Sequence, residues 1–174
     1  MDLYLIHWPA PALNRVEETR AVLEDLYLAG LTKAIGVSNF RIEDLQRLSD
    51  ACSTVPVVNQ IELHPLFQQH ELRGFQEARG IRTQAWGPLG QRNYDLGALA
   101  LISGLVDKYG KSPQQITLRW HLQEGHIIFP KSTRPERMSE NLDIVDFALA
   151  GAEMDAIARL DSGGRGGPDP AKLN

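Results

Sequence analysis

Residues 3–9 read Leu3-Tyr4-Leu5-Ile6-His7-Trp8-Pro9, a short apolar run followed at once by an imidazole, an indole and a proline. An apolar run without polar alternation is typical of a strand in a parallel sheet that helices cover on both faces. A doubly wound nucleotide-binding sheet would follow its first strand with a glycine-rich loop. Here no GxGxxG motif occurs anywhere in the sequence. The stretch therefore favours the other common parallel-sheet architecture, the (β/α)8 barrel.

The rest of the chain continues this alternation of short apolar runs and amphipathic stretches. Further strands are predicted at 34–37, 57–61, 82–86 and 127–129, and helices at 15–29, 41–52, 71–79, 99–109 and 116–123. Consecutive strands begin roughly 25–45 residues apart, the spacing of βαβ units. Residues 14–17, 112–115 and 133–136 resemble capping pairs at helix starts. The pattern predicts one α/β barrel domain over residues 1–174, with a mobile glycine-rich tail at 162–174.

Composition narrows the functional classes. The chain has 174 residues, a net charge of −4 and 43% hydrophobic residues, as in ordinary globular domains. The mild acidity argues against nucleic-acid binding. No apolar run approaches the ~20 residues of a membrane helix, and no basic leader precedes an apolar stretch. With Cys52 as the single cysteine, these features lead us to expect a cytoplasmic protein without a membrane partner.

Polar or aromatic side chains follow each predicted strand. They are His7-Trp8, Ser38-Asn39, Asn59 to Glu62, Trp86 to Pro88, and Lys131 to Thr133. Each has a structural alternative: a hydrogen-bonded histidine, a helix cap, an amide that satisfies a neighbouring backbone, a core tryptophan or a solvated lysine. In a barrel, the C-terminal strand ends converge on one rim. Their occurrence at five successive strand ends favours a common pocket.

The segment Phe129-Pro130-Lys131-Ser132-Thr133 leads from a strand into a helix N-terminus, where free N–H groups and the helix dipole favour an anion. Arg137 lies about one turn inside that helix, so Lys131 and Arg137 can flank a phosphate. The alternative is a capped helix with two solvated cations. Trp86 offers a stacking face, and Ser38, Asn39 and Gln60 could bind a carboxamide. Together these features indicate a nicotinamide dinucleotide.

At these residues the chain resembles the aldo-keto reductase family. The matching stretches, in family order, are 3–9, 36–40, 59–65, 86–90, and 130–133 through Arg137 to Glu140-Asn141. The position of Trp86 and the tail at 163–170 most resemble the bacterial branch that includes 2,5-diketo-gluconate reductases. The resemblance implies an NADP(H)-dependent oxidoreductase that reduces a small aldehyde or ketone to an alcohol.

The resemblance also implies residue roles. His7 would be the catalytic histidine that orients the carbonyl, and Trp8 would line the substrate pocket. The cofactor-binding residues would be Ser38, Asn39, Gln60, Trp86, Gly87, Leu89, Lys131, Ser132, Thr133, Arg137, Glu140 and Asn141. Among them, Lys131, Ser132 and Arg137 would hold the adenosine 2′-phosphate, while Glu140 and Asn141 would reach the adenine. No metal site is expected.

The sequence departs from the family pattern at its start. Family members carry three βα units before the histidine strand, and those units supply a catalytic tyrosine, an aspartate and a lysine. We therefore expect this chain to form strands four to eight, with the first three units absent. We also expect self-association through open sheet edges and poor carbonyl reduction by the chain alone. Two alternatives remain: a non-catalytic dinucleotide-binding or partner-complemented barrel fragment, and an incomplete chain without a function of its own.

Overall fold

The computed structural model describes residues 1–173, except for the side chain of Arg92. Strands and helices alternate along it. The strands are β1 (Tyr4–Ile6), β2 (Ile35–Ser38), β3 (Val58–Glu62), β4 (Arg82–Trp86) and β5 (Ile127–Ile128). The helices are α1 (Val16–Leu28), α2 (Ile42–Ala51), α3 (His70–Glu77), α4 (Ala100–Tyr109), α5 (Pro113–Gln123), α6 (Pro135–Leu142) and α7 (Gly151–Ala158). Two 3₁₀ turns, Gly90–Arg92 and Leu96–Ala98, lie between β4 and α4.

The five strands are hydrogen-bonded in the order β1-β2-β3-β4-β5. β1 pairs with β2 in parallel, with Ile6 opposite Val37, and β2 pairs with β3 in parallel, with Ser38 opposite Gln60. A sheet order that follows the chain, with helices between the strands, is the topology of repeated βαβ units. This confirms the predicted α/β fold class.

The described chain divides into two units, each with its own core. The first unit contains Met1–Ile61, His70–Gln84 and the residues from Gly167 onward, and the second contains Glu62–Gln69 and Ala85–Gly166. In the first unit the most deeply buried apolar side chains are Ile35, Val37, Phe40, Leu45, Leu48 and Ile61. In the second they are Leu63, Ile102, Ile116, Leu118, Trp120 and Ile157. Most of these side chains come from the apolar runs and helix faces that the sequence pattern indicated, whereas Phe40, Leu63 and Ile157 lie outside the predicted elements.

Gly36 shows how tightly the strands of the first unit pack. A Cβ atom at this position would lie 2.7 Å from Leu5 Cδ2 and 2.9 Å from the Val58 carbonyl oxygen. These distances are shorter than side-chain carbons normally allow, and the Val58 carbonyl is backbone, which cannot rotate away. A glycine is therefore required here for β2 to lie against its neighbours.

The helix starts test the three predicted capping pairs. The prediction for α5 is confirmed, because Ser112 Oγ accepts from Gln115 N at 3.3 Å and Gln115 Oε1 accepts from Ser112 N at 3.0 Å. The prediction at 14–17 is wrong: Asn14 has φ +47°, and its Oδ1 accepts from Arg47 Nη2. The prediction at 133–136 is also wrong. There Ser132 Oγ accepts from Arg134 N at 3.1 Å, and α6 begins at Pro135.

The start of the glycine-rich tail contacts the loop after β3. Ser162 N, Ser162 Oγ and Gly164 N each donate to the Leu66 carbonyl oxygen, at 3.1, 3.1 and 3.0 Å. The mobility expected of residues 162–174 stays a prediction, and these bonds show where the segment is held. Among the described residues, no helix is both long enough and apolar enough to cross a membrane.

Candidate functional site

The first unit carries four polar side chains on neighbouring strands, which we call the amide cluster. They are Ser38 and Asn39 at the end of β2, Gln60 in the middle of β3 and Gln84 in the middle of β4. Asn39 Nδ2 donates to the His7 carbonyl oxygen and to Ser38 Oγ, both at 3.0 Å. Ser38 Oγ and Asn39 N both donate to the Gln60 carbonyl oxygen, at 2.9 and 2.8 Å. Gln60 Nε2 donates to Gln84 Oε1 at 2.6 Å. The cluster thus connects the ends of β1 and β2 to the middle of β3 and β4 through hydrogen bonds.

The geometry of Asn39 explains why an asparagine suits this position. Its φ is +64°, in the left-handed region that asparagine tolerates better than most residues. This conformation accompanies the two amide bonds to His7 and Ser38. Both amide hydrogens are consumed, so Asn39 could bind a ligand amide only through Oδ1.

His7 and Trp8 follow β1 directly. The His7 side chain is exposed and that of Trp8 is half-buried, and their rings lie 5.8 Å apart at an angle of 54°. The backbone of His7 is held by Asn39 Nδ2 at 3.0 Å. The amide cluster therefore fixes the strand end from which an accessible imidazole projects.

The second unit contains a cavity of about 660 Å³, which we call the cation-lined cavity. Six of the predicted cofactor residues line it together: Leu89, Lys131, Ser132, Arg137, Glu140 and Asn141. Asn141 is 9% exposed, and its Nδ2 donates to the Pro130 carbonyl oxygen at 3.3 Å, which ties α6 to the segment that carries Lys131. The structure thus brings the two predicted cations to a single cavity.

The two cations of this cavity are not held by partners among the described residues, although the lining also includes two carboxylates, Asp95 and Glu140. Lys131 and Arg137 are both exposed, and within residues 1–173 neither forms an ion pair or a side-chain hydrogen bond. Lys131 lies just before α6 and Arg137 lies in its first turn, where the helix dipole adds positive potential. Two unpaired cations at a helix N-terminus are chemically able to attract an anionic group.

Three other predicted cofactor residues of this unit, Trp86, Gly87 and Thr133, are not among those that line the cavity. Trp86 is half-buried at the end of β4, and its carbonyl oxygen accepts from Leu63 N at 3.2 Å. Gly87 has φ +62° and lies 3.1 Å, as measured from an ideal Cβ, from the Gln91 side chain. Their roles stay predictions.

Sequence reasoning missed part of the cavity wall. The additional lining residues are Gln91, Tyr94, Asp95, Leu96 and Gln114. Most belong to the segment after β4, which forms 3₁₀ turns and carries positive φ at Gly90 and Gln91. The cluster of glycines at 87–97 marked a loop, but a loop without periodicity gives no indication of which side chains face a ligand.

One lining residue, Tyr94, is also bonded to a buried pair. Its hydroxyl lies 3.3 Å from His64 Nδ1, and His64 Nε2 lies 3.3 Å from Glu62 Oε1. Burial raises the pKa of the Tyr94 phenol well above its ordinary value, and a hydrogen bond with the Leu66 backbone opposes this only in part. Tyr94 therefore stays protonated at neutral pH. Among the described side chains, no group of three metal-ligating residues forms a candidate metal site.

Comparison with known proteins identifies the family of the chain. The model of the aldo/keto reductase family matches residues 1–162. The chain belongs to the aldo/keto reductase family. The methylglyoxal reductase DkgA of Escherichia coli (strain K12) is 48% identical over 170 residues, which are 98% of this chain and 62% of the relative. An aldo-keto reductase of Mycolicibacterium smegmatis is 47% identical over the whole chain and 62% of its own length.

Solved structures give the same family. A crystal structure of a Gox0644 mutant in complex with NADPH has a TM-score of 0.95 and 47% identity, covering 100% of this chain and 64% of that one. The apo form of Gox0644 has a TM-score of 0.94 at 48% identity. The aldo/keto reductase chain thus spans about three fifths of the length of the curated relatives it matches, 62% in the first of them. The expected resemblance to a portion of the (β/α)8 barrel is confirmed.

Proposed function

We propose that this aldo/keto reductase chain binds NADPH and acts as an oxidoreductase, which reduces a small aldehyde or ketone to the alcohol. The observation that carries the proposal is the cation-lined cavity, with Lys131 and Arg137 unpaired among the described residues. The relative named methylglyoxal reductase and the NADPH complex of Gox0644 support the reaction class and the cofactor.

In the cavity, Lys131 and Arg137 would hold the adenosine 2′-phosphate. Arg137 offers a planar fork of donors, and Lys131 offers a point charge. Ser132 and Thr133 would add hydroxyl donors beside them, and the polar lining residues Glu140 and Asn141 would contact the adenine. The hydrogen bond of Asn141 to the Pro130 carbonyl positions its amide before any ligand arrives. Leu89 and Gly87 belong to the same proposed set.

In the amide cluster, Ser38, Asn39 and Gln60 would hold the carboxamide of the cofactor. Because both Asn39 amide hydrogens are used internally, its part would be that of an acceptor through Oδ1. Gln60 uses one amide hydrogen on Gln84 and keeps a second donor position. Trp86 would stack on the nicotinamide ring, a contact worth about 1 kcal/mol.

The catalytic role falls to His7, with Trp8 lining the substrate pocket. A bound NADPH would supply the hydride for carbonyl reduction, and water or another acid would have to supply the proton that completes the alcohol. The exposed imidazole of His7 would donate a hydrogen bond to the substrate carbonyl oxygen, which orients it and stabilises the negative charge that develops there. The amide cluster would contribute indirectly, because Asn39 holds the backbone of His7.

The remaining proposals concern the setting of the protein. We propose a cytoplasmic location. Cys52 is the single cysteine of the sequence, so it has no second cysteine with which to form an internal disulfide, as is common in a reducing compartment. We propose a small carbonyl compound as the partner. Self-association through sheet edges is a further proposal, because exposed strand backbone can pair with another chain.

Fluorescence titration of the 174-residue chain with NADPH and NADH tests the proposed function. Arg137→Ala removes one charge-assisted contact and is expected to weaken NADPH binding by about 10- to 100-fold, with little effect on NADH. Arg134→Ala is the matched control, because it removes the same charge beside α6 from a residue that does not line the cavity. Equal losses for NADPH and NADH, or equal losses for the two variants, would reject the 2′-phosphate assignment.

A second measurement separates catalysis from binding alone. NADPH oxidation is followed with methylglyoxal as a reactive aldehyde, for the chain and for His7→Ala. Turnover by the chain alone is expected to be low, and a further fall of roughly 10²-fold or more in His7→Ala would support the catalytic role. Tight NADPH binding without turnover would instead support the non-catalytic dinucleotide-binding alternative.

A further inference from the structure

Tyr94 joins the cation-lined cavity to a buried chain of hydrogen bonds. Its side chain lines the cavity, and its hydroxyl lies 3.3 Å from His64 Nδ1. His64 Nε2 in turn lies 3.3 Å from Glu62 Oε1. His64 is 1% exposed and Glu62 is 3% exposed, so both groups of this pair are out of contact with bulk water. This hydrogen-bond chain, formed by Tyr94, His64 and Glu62, therefore runs from the wall of the cavity into the interior of the second unit.

The Glu62 end of these hydrogen bonds is held by the C-terminal segment. Glu62 Oε1 also accepts from the Gly166 backbone N–H at 2.7 Å, and Arg165 Nη1 lies 3.8 Å from Glu62 Oε2. Which ring nitrogen of His64 donates depends on its tautomer, but its two nitrogens contact Tyr94 and Glu62 in either case.

The buried end of this hydrogen-bond chain, at Glu62, contacts the start of the C-terminal tail. We call these residues, 162–166, the tail anchor. Besides the Gly166 bond to Glu62, the anchor donates three hydrogen bonds to the Leu66 carbonyl oxygen. The guanidinium of Arg165 lies 4.6 Å from the centre of the Phe67 ring. These partners are the last residue of β3, Glu62, and two residues of the loop that follows it, Leu66 and Phe67. The end of β3 and this loop therefore lie between the tail anchor and Tyr94.

Two glycines make the close approaches possible. An ideal Cβ at Gly90 would overlap the Tyr94 ring, and one at Gly166 would lie 2.8 Å from Asn93 Cγ and 3.1 Å from Glu62 Oε1. A side chain at position 90 would therefore move Tyr94. A side chain at position 166 would move the Asn93 amide and press on the Glu62 carboxyl group.

We propose that Tyr94 is a positioning residue of the cavity. Through the Tyr94–His64–Glu62 hydrogen-bond chain, a ligand bound in the cavity would stabilise the hydrogen bonds of the tail anchor. A ligand that packs against Tyr94 holds its hydroxyl on His64 and thereby keeps Glu62 on Gly166. The identity of the ligand, NADPH, rests on the proposed function. The coupling itself rests on contacts of the free protein.

Amide hydrogen exchange at Gly166 tests the coupling without cofactor. Tyr94→Phe keeps the ring that packs on Gly90 and removes only the hydroxyl. Losing one net hydrogen bond is expected to speed Gly166 exchange by about 2- to 10-fold. Tyr109→Phe is the matched control, because Tyr109 donates to Glu153 at 2.5 Å in the same unit and does not line the cavity. Unchanged exchange in Tyr94→Phe, or an equal change in Tyr109→Phe, would overturn the proposal.

A double-mutant cycle in NADPH affinity tests the link from the other end. Gly166→Ala displaces Glu62 and Asn93 from a position that does not line the cavity, yet it is expected to weaken NADPH binding by about 2- to 10-fold, as Tyr94→Phe does. The combined variant should lose clearly less than the product of the two effects, since each breaks the same chain. Multiplicative losses would show separate structural effects and reject the coupling. Failure of the parent chain to bind NADPH would reject the proposed function, while the exchange measurement would still decide the coupling.

Discussion

The amide cluster and the cation-lined cavity differ in whether their polar side chains are bonded within the protein. In the cluster, buried polar groups bond mainly to one another: Ser38 and Asn39 are 1% and 5% exposed, and both amide hydrogens of Asn39 are consumed within the protein. In the cavity, Lys131 and Arg137 are exposed and have no ion-pair partner among the described residues. The difference teaches that the polar residues near strand ends divide into groups that bond within the protein and groups whose charges have no internal partner in residues 1–173.

The largest effect is expected in the cluster, on stability. Asn39→Ala removes two hydrogen bonds, leaves the His7 carbonyl without this donor, and places alanine at φ +64°. We expect unfolding free energy to fall by about 2–4 kcal/mol in urea titrations. Asn39→Gly loses the same bonds but tolerates the backbone, so it should retain about 1 kcal/mol more. Equal losses in the two variants would show that the conformation at Asn39 carries no strain.

The cavity should show the converse behaviour. The double variant Lys131→Ala/Arg137→Ala is expected to change unfolding free energy by less than about 0.5 kcal/mol, because exposed unpaired side chains support little structure. Its preference for NADPH over NADH should be lost, an effect of about 10- to 100-fold in relative affinity. Urea titration and cofactor titration on the same preparation measure both quantities. A destabilisation comparable with that of Asn39→Ala would erase the distinction between the two regions.

A smaller effect is expected at the edge of the cluster. Gln84 is buried and accepts from Gln60 Nε2 at 2.6 Å. Gln84→Leu should therefore destabilise the chain by about 0.5–1.5 kcal/mol, the net value of one hydrogen bond. If the amide of Gln60 contacts the cofactor, NADH and NADPH affinities should change together in this variant. A change confined to NADPH would assign Gln60 to the phosphate end of the cofactor instead.

The smallest expected effect is that of salt on the affinity for NADPH relative to NADH. The screening length falls from about 10 Å at 0.1 M salt to about 3 Å at 1 M. Attraction of a phosphate by exposed Lys131 and Arg137 should weaken accordingly, so NADPH affinity is expected to fall a few-fold further than NADH affinity. Titrations at the two salt concentrations provide the comparison. Parallel losses for both cofactors would mean that the cations do not contact the 2′-phosphate.

The strands were predictable because each is an uninterrupted apolar run in a sequence otherwise rich in helical spacing. β4 matches its prediction at 82–86, and β3 differs from its prediction by one residue at each end. α7 was missed, since its eight residues bury only Ile157 and so carry almost no periodic signal. The failed capping pairs have a different cause: Asn14 and Thr133 have suitable side chains, but tertiary contacts and backbone conformation set the actual helix starts.

The site was predictable where charge marks it and unpredictable where only shape does. Lys131 and Arg137 stood out because two cations at a helix start have few structural uses. Tyr94 and Gln91 line the same cavity, yet their loop is built from 3₁₀ turns with positive φ, which no hydrophobic period reveals.

The exposure of Lys131 and Arg137 has an evolutionary consequence. At positions that contribute no packing, selection acts on a mutation only through its effect on ligand binding. In the amide cluster, selection first removes mutations that lower the free energy of unfolding. A lineage could therefore exchange one nicotinamide cofactor for the other through a few substitutions around α6, without compensating changes elsewhere. We expect the nucleotide preference of such chains to diversify more readily than their hydrogen-bonded strand ends.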